Sequence, residues 1–339
     1  LAMVGSRDYF NKAIDGQVNI ATSPRQPGSS FKPLVYAKAF EKGFQPETIL
    51  FDLPTSFGAD GSGNEYKPMN YDERFRGRLS MRESLANSLN IPAVQTQYLA
   101  GLTQTLDQLD RMGITSLKDR KRFGLSLVLG SGEVSLLEMT NAYATFSQEG
   151  IFRQAEGVQK VLAQDGGVIY QHQTTGTQVL SEQTARKIKS ILSDNKARSL
   201  VFGTHTPLAF PNGGVAAKTG TTQDFHDGWT LGFTNRVAVG VWVGNSDNAA
   251  LKKGSDGVIV AAPLWRSFMD TLLTQYPQTP FIDYIHVNSD KPLLTGKMPG
   301  GLYFADAPKN KKYNLNKYLN RIFVAWLRTS KSLTPPAAW

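Results

Sequence analysis

A chain of 339 residues with 40% hydrophobic and 19% charged residues suits one large globular domain or two moderate ones, and excludes a disordered polymer. Its formal charge of +9 comes without a dense basic block interleaved with aromatics, so acidic polymers and anionic membrane surfaces fit it better as partners than nucleic acid. There is no cysteine, which rules out thiol catalysis and disulfides, and His172, His205, His226 and His286 lack ligand spacing, so no metal and no other cofactor is expected.

No apolar run approaches the roughly 20 residues of a membrane helix, and no signal-like segment opens the chain. The sequence reads as a fragment whose anchor and address would lie upstream.

Taken in order, residues 1–4 read as a short strand. Arg25-Gln26-Pro27-Gly28 is a turn signal, and a helix is expected over 29–42, with Phe31, Leu34, Val35 and Phe40 at helical spacing and Gly43 at its end. Ser29 then sits at the helix entrance with Lys32 on the same face one turn later. That spacing suits a serine nucleophile whose base is a lysine, and it equally suits a helix cap followed by a solvated lysine.

Residues 51–78, rich in Gly, Pro, Asn and Asp, are expected to form an ordered irregular loop. Ser80-Met81-Arg82-Glu83 is a capping box opening a helix that ends near Asn87 to Asn90. Pro92 suits the first turn of the next helix, 93–100, and a further helix covers 103–112. A second capping box, Ser135-Leu136-Leu137-Glu138, opens a helix through Phe146.

The pattern then changes. Residues 158–171 read as a hairpin around Asp165-Gly166, and 183–192 as a helix. Strands are expected at 215–219, 229–233 and 237–243. The last is apolar throughout, as for a central strand covered on both faces. Residues 263–275 form a terminal helix. Beyond residue 277 the chain is rich in Pro, Lys and Asn, with one apolar patch at 322–327. The expected fold is α+β, an antiparallel sheet assembled from both ends of the chain, flanked by helices and carrying an inserted helical lobe, with a cleft between them.

Two more patches carry chemistry. Ser88 and Asn90 lie between two helices, where they can aim a hydroxyl and an amide into the cleft or simply cap helices. Lys218, Thr219, Gly220 and Thr221 end a strand. They offer a fixed cation, two hydroxyls and an open backbone edge, or form an ordinary strand with a bulge glycine. Ser193-Asp194-Asn195 and Ser246-Asp247-Asn248 imitate the Ser-x-Asn pattern, but the first falls at a helix end and the second follows the Lys-Thr-Gly strand.

Together, Ser-x-x-Lys, Ser-x-Asn and Lys-Thr-Gly in this order are specific, and the chain resembles the transpeptidase domain of class A penicillin-binding proteins, within the penicillin-recognising superfamily that includes serine β-lactamases. The resemblance spans 1–276, through RQPGSSFK from Arg25, Asn70-Tyr71-Asp72, SLNIPAV from Ser88, LEMTNAYATF from Leu137, KTGT from Lys218 and DGWTLGFTNRVAVGVWVGN from Asp227. Residues 277–339 match nothing in it and are expected to be a linker or tail.

The resemblance implies a peptidoglycan D,D-transpeptidase on the extracytoplasmic face of the cytoplasmic membrane. Ser29 would attack the D-Ala-D-Ala bond of a stem peptide, release D-alanine and pass the acyl group to an acceptor amine of a neighbouring stem. Lys32 would take the serine proton, Ser88 relay one to the leaving amine, Asn90 bind the donor amide, and Lys218, Thr219 and Thr221 hold its carboxylate. Backbone N–H groups of Ser29 and Thr221 would meet the oxyanion, each donor worth about 3 kcal/mol. β-Lactams would acylate Ser29, and a glycosyltransferase domain and membrane anchor would lie upstream. A D,D-carboxypeptidase, a β-lactamase and a non-catalytic β-lactam or muropeptide sensor share the same motifs. For any of the enzymes, only about one free lysine in 2,500 is neutral at pH 7. Lys32 therefore serves as a base only where burial and a nearby cation, here Lys218, lower its pKa, with both amines converging on Ser29.

Overall fold

The computed structural model describes residues 2–58, 63–287 and 294–296. Among them the helices are α1 (Lys32–Glu41), α2 (Met81–Ala86), α3 (Asn90–Ala100), α4 (Leu102–Arg111), α5 (Leu136–Ser147), α6 (Glu182–Leu192), α7 (Asn195–Phe202), α8 (Gly257–Val260) and α9 (Ala262–Gln275). The strands are β1 (Ile49–Asp52), β2 (Gly77–Ser80), β3 (Ile151–Phe152), β4 (Lys160–Leu162), β5 (Val168–Gln171), β6 (Thr177–Gln178), β7 (Ala216–Thr221), β8 (Asp227–Phe233) and β9 (Ala238–Gly244).

The central sheet is antiparallel in the order β7-β8-β9. Its side chains alternate faces, as the pleat requires. Ala216, Trp229, Leu231 and Phe233 enter the main core on one face, with α5 and α6. Val215, Ala217 and Val239 enter a second core on the other, against Trp265 and Met269 of α9. Lys218 pairs with Leu231 across the ladder and so faces the main core. Helix α1 packs between α6 and the helices α2, α3 and α4. Only Lys38 and Glu41 of α1 escape full burial, so it is apolar nearly all round rather than amphipathic. The fold is the α+β arrangement expected.

Several local expectations are corrected. Residues 2–4 are exposed and form no strand, so among the described residues the sheet is built from the second half of the chain. The central strand is β8, buried at every position, whereas β9 is a half-buried edge whose apolar run answers to α5 on one face and α9 on the other. A three-ten turn, Gly28–Phe31, precedes α1, so Ser29 lies before the α-helix rather than in its first turn. The irregular stretch is bracketed by a strand pair, β1 with β2, closed in register from Ile49–Ser80 to Asp52–Gly77. Helices α7 and α8 carry no strong periodic signal and went unread. Hairpin β4–β5 stands where expected. Residues 279–281 return to the body, with the Asn235 amide donating to Thr279 Oγ1 (3.1 Å) and Pro280 O (3.3 Å). The apolar patch at 322–327 lies outside the described residues.

Both capping boxes form. The second reaches further than a cap. The Glu138 carboxylate accepts from Ser135 N (2.9 Å), Thr115 N (2.9 Å), Ser116 N (3.0 Å) and Ser116 Oγ (2.6 Å). Burial alone pushes this carboxyl upward, but the bonds from Ser116, Ser135 and Thr115 outweigh it and leave its pKa below the usual range. Glu138→Gln, which turns one acceptor into a donor facing donors, is expected to destabilise the protein by about 1–3 kcal/mol. Urea unfolding measures this, and a midpoint unchanged from wild type would rule out the clamp.

Candidate active site

The pocket forms where three segments distant in sequence meet, namely the three-ten turn before α1, the turn between α2 and α3, and the outer edge of β7. Glycines set the first junction. Gly28 has φ +53°, and a Cβ added there would lie 2.3 Å from Thr221 O. A Cβ on Gly220 would lie 2.2 Å from Pro27 O. The backbones of turn and strand are thus closer than any side chain allows. Trp229 Nε1 donates to Gln26 O (2.8 Å), and Arg25 pairs its backbone with Val134, which fixes the approach of the turn.

The two adjacent serines have different surroundings. Ser30 is fully buried, and its hydroxyl donates to Pro27 O at 2.7 Å. The Tyr143 hydroxyl holds Ser30 O at 2.6 Å. Ser29 is half-buried, and among the described residues no hydrogen bond engages its hydroxyl. The accessible, uncommitted oxygen is that of Ser29.

Ser88 occupies the turn after α2 with φ +59°, a left-handed conformation costing a non-glycine residue about 1–3 kcal/mol. This conformation turns both its carbonyl and its hydroxyl toward Lys32, whose Nζ donates to Ser88 O (2.6 Å), Asn90 Oδ1 (2.8 Å) and, at longer range, Ser88 Oγ (3.4 Å). Lys218 Nζ donates to the same Ser88 Oγ (2.8 Å) and to Thr219 O (2.8 Å). Both lysines are buried. Burial first, and Lys218 second, hold the Lys32 amine well below its ordinary pKa. Burial first, and the Arg198 charge second, bring Lys218 down to about 7. Ser88 Oγ therefore accepts from Lys218 and lies within reach of Lys32. The two amines converge as expected, but the oxygen they share belongs to Ser88, not Ser29.

Asn90 is held from behind. Its backbone N–H donates to Asn70 Oδ1 (2.8 Å) and its Nδ2 to Met69 O (2.7 Å). Asn70 donates in turn to Asp52 Oδ1 (2.6 Å), a fully buried carboxylate that also accepts from Arg76 N (3.0 Å). Burial pushes the Asp52 carboxyl up despite those bonds and the Arg76 charge. On β7, Thr219 and Thr221 face away from Lys218 by strand alternation. Thr221 Oγ1 accepts from Gly257 N (2.9 Å), which leaves its O–H free to donate.

Lys32, Ser88, Asn90 and Lys218 are thus joined by hydrogen bonds beside the turn that carries Ser29, Gly220 lies against Pro27, and Thr219 and Thr221 sit on the other face of the same strand. The imitators do not join them. Ser193 closes α6 and Asp194 caps α7, while Ser246 and Asp247 turn after β9. Asn70, Asp52 and Arg198 went unread as site residues. Asn70 stood in matching text without a chemical spacing to mark it, and Arg198 had no signal at all. Among the described residues no group of three His, Cys, Asp or Glu side chains is arranged for a metal, and no helix is long and apolar enough to cross a membrane.

The model of the penicillin binding protein transpeptidase domain matches residues 1–270. Penicillin-binding protein 1A of Aquifex aeolicus is 32% identical over 285 residues, which cover 83% of this chain and 37% of that protein. The structure of penicillin-binding protein 1A from Haemophilus influenzae superposes with a TM-score of 0.72 at 26% identity, covering 88% of this chain and 51% of that one. PonA1 from Mycobacterium tuberculosis, solved in complex with penicillin V, superposes with a TM-score of 0.69 at 25% identity, covering 79% and 74%. The chain spans 37% to 40% of the length of the curated relatives from Aquifex aeolicus and Bacillus subtilis that it matches.

The turn–strand junction is testable by itself. Gly28→Ala and Gly43→Ala both place a Cβ at positive φ, at a cost of about 1–2 kcal/mol, but Gly43 has open space around it. Gly28→Ala is expected to destabilise the protein clearly more than Gly43→Ala in urea unfolding. Equal losses would mean that the turn and β7 are not packed backbone to backbone.

Proposed function

The chain belongs to the penicillin-binding protein transpeptidase family, and from that premise we propose that it is a peptidoglycan D,D-transpeptidase working through a Ser29 acyl-enzyme. The observation that carries the proposal is the sharing of one hydroxyl, Ser88 Oγ, by two buried lysines beside an uncommitted serine. Among the described residues no carboxylate is hydrogen-bonded to Ser29, Lys32, Ser88, Asn90 or Lys218, which favours transfer to an amine over activation of water by an acidic side chain.

The steps run as follows. Neutral Lys32 takes the Ser29 proton as Oγ adds to the carbonyl carbon between two terminal D-alanines of a donor stem. The oxyanion is met by the backbone N–H groups of Ser29 and Thr221, a pairing supported by the close approach of the two backbones at Gly28 and Gly220. Ser88 gives its proton to the departing amine as the C–N bond breaks, and is reprotonated from the lysine pair. An ammonium with a pKa of about 7 suits that donation at neutral pH. Asn90 holds the donor amide, while Thr219, Thr221 and Lys218 hold its terminal carboxylate. After D-alanine leaves, an amine of a neighbouring stem attacks the ester carbonyl, surrenders its proton to the base and displaces Ser29. β-Lactams imitate the donor and stop at the first acylation. In the whole protein, a glycosyltransferase domain and a membrane anchor precede this domain and hold it at the extracytoplasmic face.

Fluorescent penicillin is expected to label the wild type and to leave Ser29→Ala unlabelled, with the mass adduct on Ser29 and not Ser30. Cross-linked dimers from a lipid-linked substrate separate a transpeptidase from a carboxypeptidase or a sensor. The acylation rate should be bell-shaped in pH, falling in acid as Lys32 gains a proton and in alkali, above about pH 7, as Lys218 loses one. Labelling of Ser29→Ala, or its absence in the wild type, would defeat the proposal.

A further inference from the structure

Behind Lys218 lies a third buried cation. Arg198 of α7 is 3% exposed, and its guanidinium donates to Ala217 O (3.5 Å), the carbonyl of the residue before Lys218, and to Leu192 O. Its Nε has no acceptor among the described residues. The carboxylate that acts on it, Asp194, is engaged elsewhere, accepting from Ala197 N (2.8 Å) as the cap of α7 and from Arg82 (3.1 Å). Burial lowers Arg198 to about 10, which still leaves it charged at neutral pH. A buried guanidinium without its own carboxylate costs several kcal/mol, and here it joins the end of α6 to β7.

Among the described residues packed around Lys218, no other replaces that charge. Lys32 of α1 is itself pressed toward neutrality, and Ser88 and Ser29 are neutral. On α6, Lys189 answers to Glu149, and Lys187 feels Glu41 and Glu47. On β8, Asp227 accepts from Trp242 Nε1 and Thr222, and before α8, Asp256 accepts from the Tyr71 hydroxyl.

We propose that Arg198 is a positioning residue whose fixed charge, delivered through the back of β7, keeps Lys218 a ready proton donor to Ser88 and so sets the alkaline limb of the reaction. The inference rests on the transpeptidase reading for its kinetic meaning but not for its electrostatics. Three variants separate charge from anchoring. Arg198→Met removes the charge and moves the alkaline limb of penicillin acylation up by about one pH unit. Arg198→Lys keeps the charge, loses the fork and leaves the limb in place. Arg198→Gln removes the charge but keeps a donor for Ala217 O, and moves the limb up as Arg198→Met does.

The same shifts are read directly, without turnover, by NMR titration of lysine-labelled protein, with Lys218 assigned by comparison with Lys218→Met. Should Arg198→Met fold poorly, Arg198→Gln decides. A Lys218 titration unmoved in Arg198→Gln, or moved equally by Arg198→Lys and Arg198→Met, overturns the proposal and leaves Arg198 an anchor. Failure of Ser29 to acylate, with the NMR shifts intact, would sink the transpeptidase reading instead.

Discussion

The pocket depends on two primary amines buried where no carboxylate neutralises them. Among the described residues, Lys32 and Lys218 donate only to carbonyls, one amide oxygen and one hydroxyl. Taking an unpaired ammonium out of water costs several kcal/mol, and the cheaper response is to release the proton. The acceptors around Lys32 serve an amine and an ammonium alike, so the geometry persists while protons move. A residue that must take and return a proton in every cycle needs that indifference.

The rest of the molecule holds this arrangement still. Lys32 opens a helix buried on nearly every side, and Lys218 lies on a strand whose partner β8 is buried throughout. The junction of turn and strand leaves no room for a side chain at Gly28 or Gly220. Asn90 is pinned through Asn70 to the buried Asp52. Groups mounted on regular elements and locked by such bonds are positioned better than groups on free loops.

What was legible in the sequence was local. Ser80 with Glu83 and Ser135 with Glu138 announced helix starts because a cap is a contact between residues three apart. The motif residues Ser29, Ser88 and Lys218 were legible through their order. What required the third dimension was not. The run 238–244 looks central because helices cover both its faces, and burial of faces carries no information about which edge is paired. Residues 2–4 are apolar like a buried strand, yet they are exposed and form no strand. Arg198 has no motif and no spacing; its significance lies in a carbonyl neighbour 19 positions away.

Ser88 is where these constraints meet. Its positive φ would suit glycine better, but glycine would forfeit the hydroxyl between the amines, and a β-branched threonine would raise the strain. The strained turn persists because Asn87 clamps it, donating to Glu83 O (2.9 Å) and Ala197 O (2.6 Å) and accepting from Val201 N (2.9 Å). Two of those three partners belong to α7, the helix that carries Arg198. One short helix therefore steadies the hydroxyl that two lysines share and also carries the cation beside the second of them. The geometry of the relay and its electrostatics share one support, and a displacement of α7 would disturb both at once.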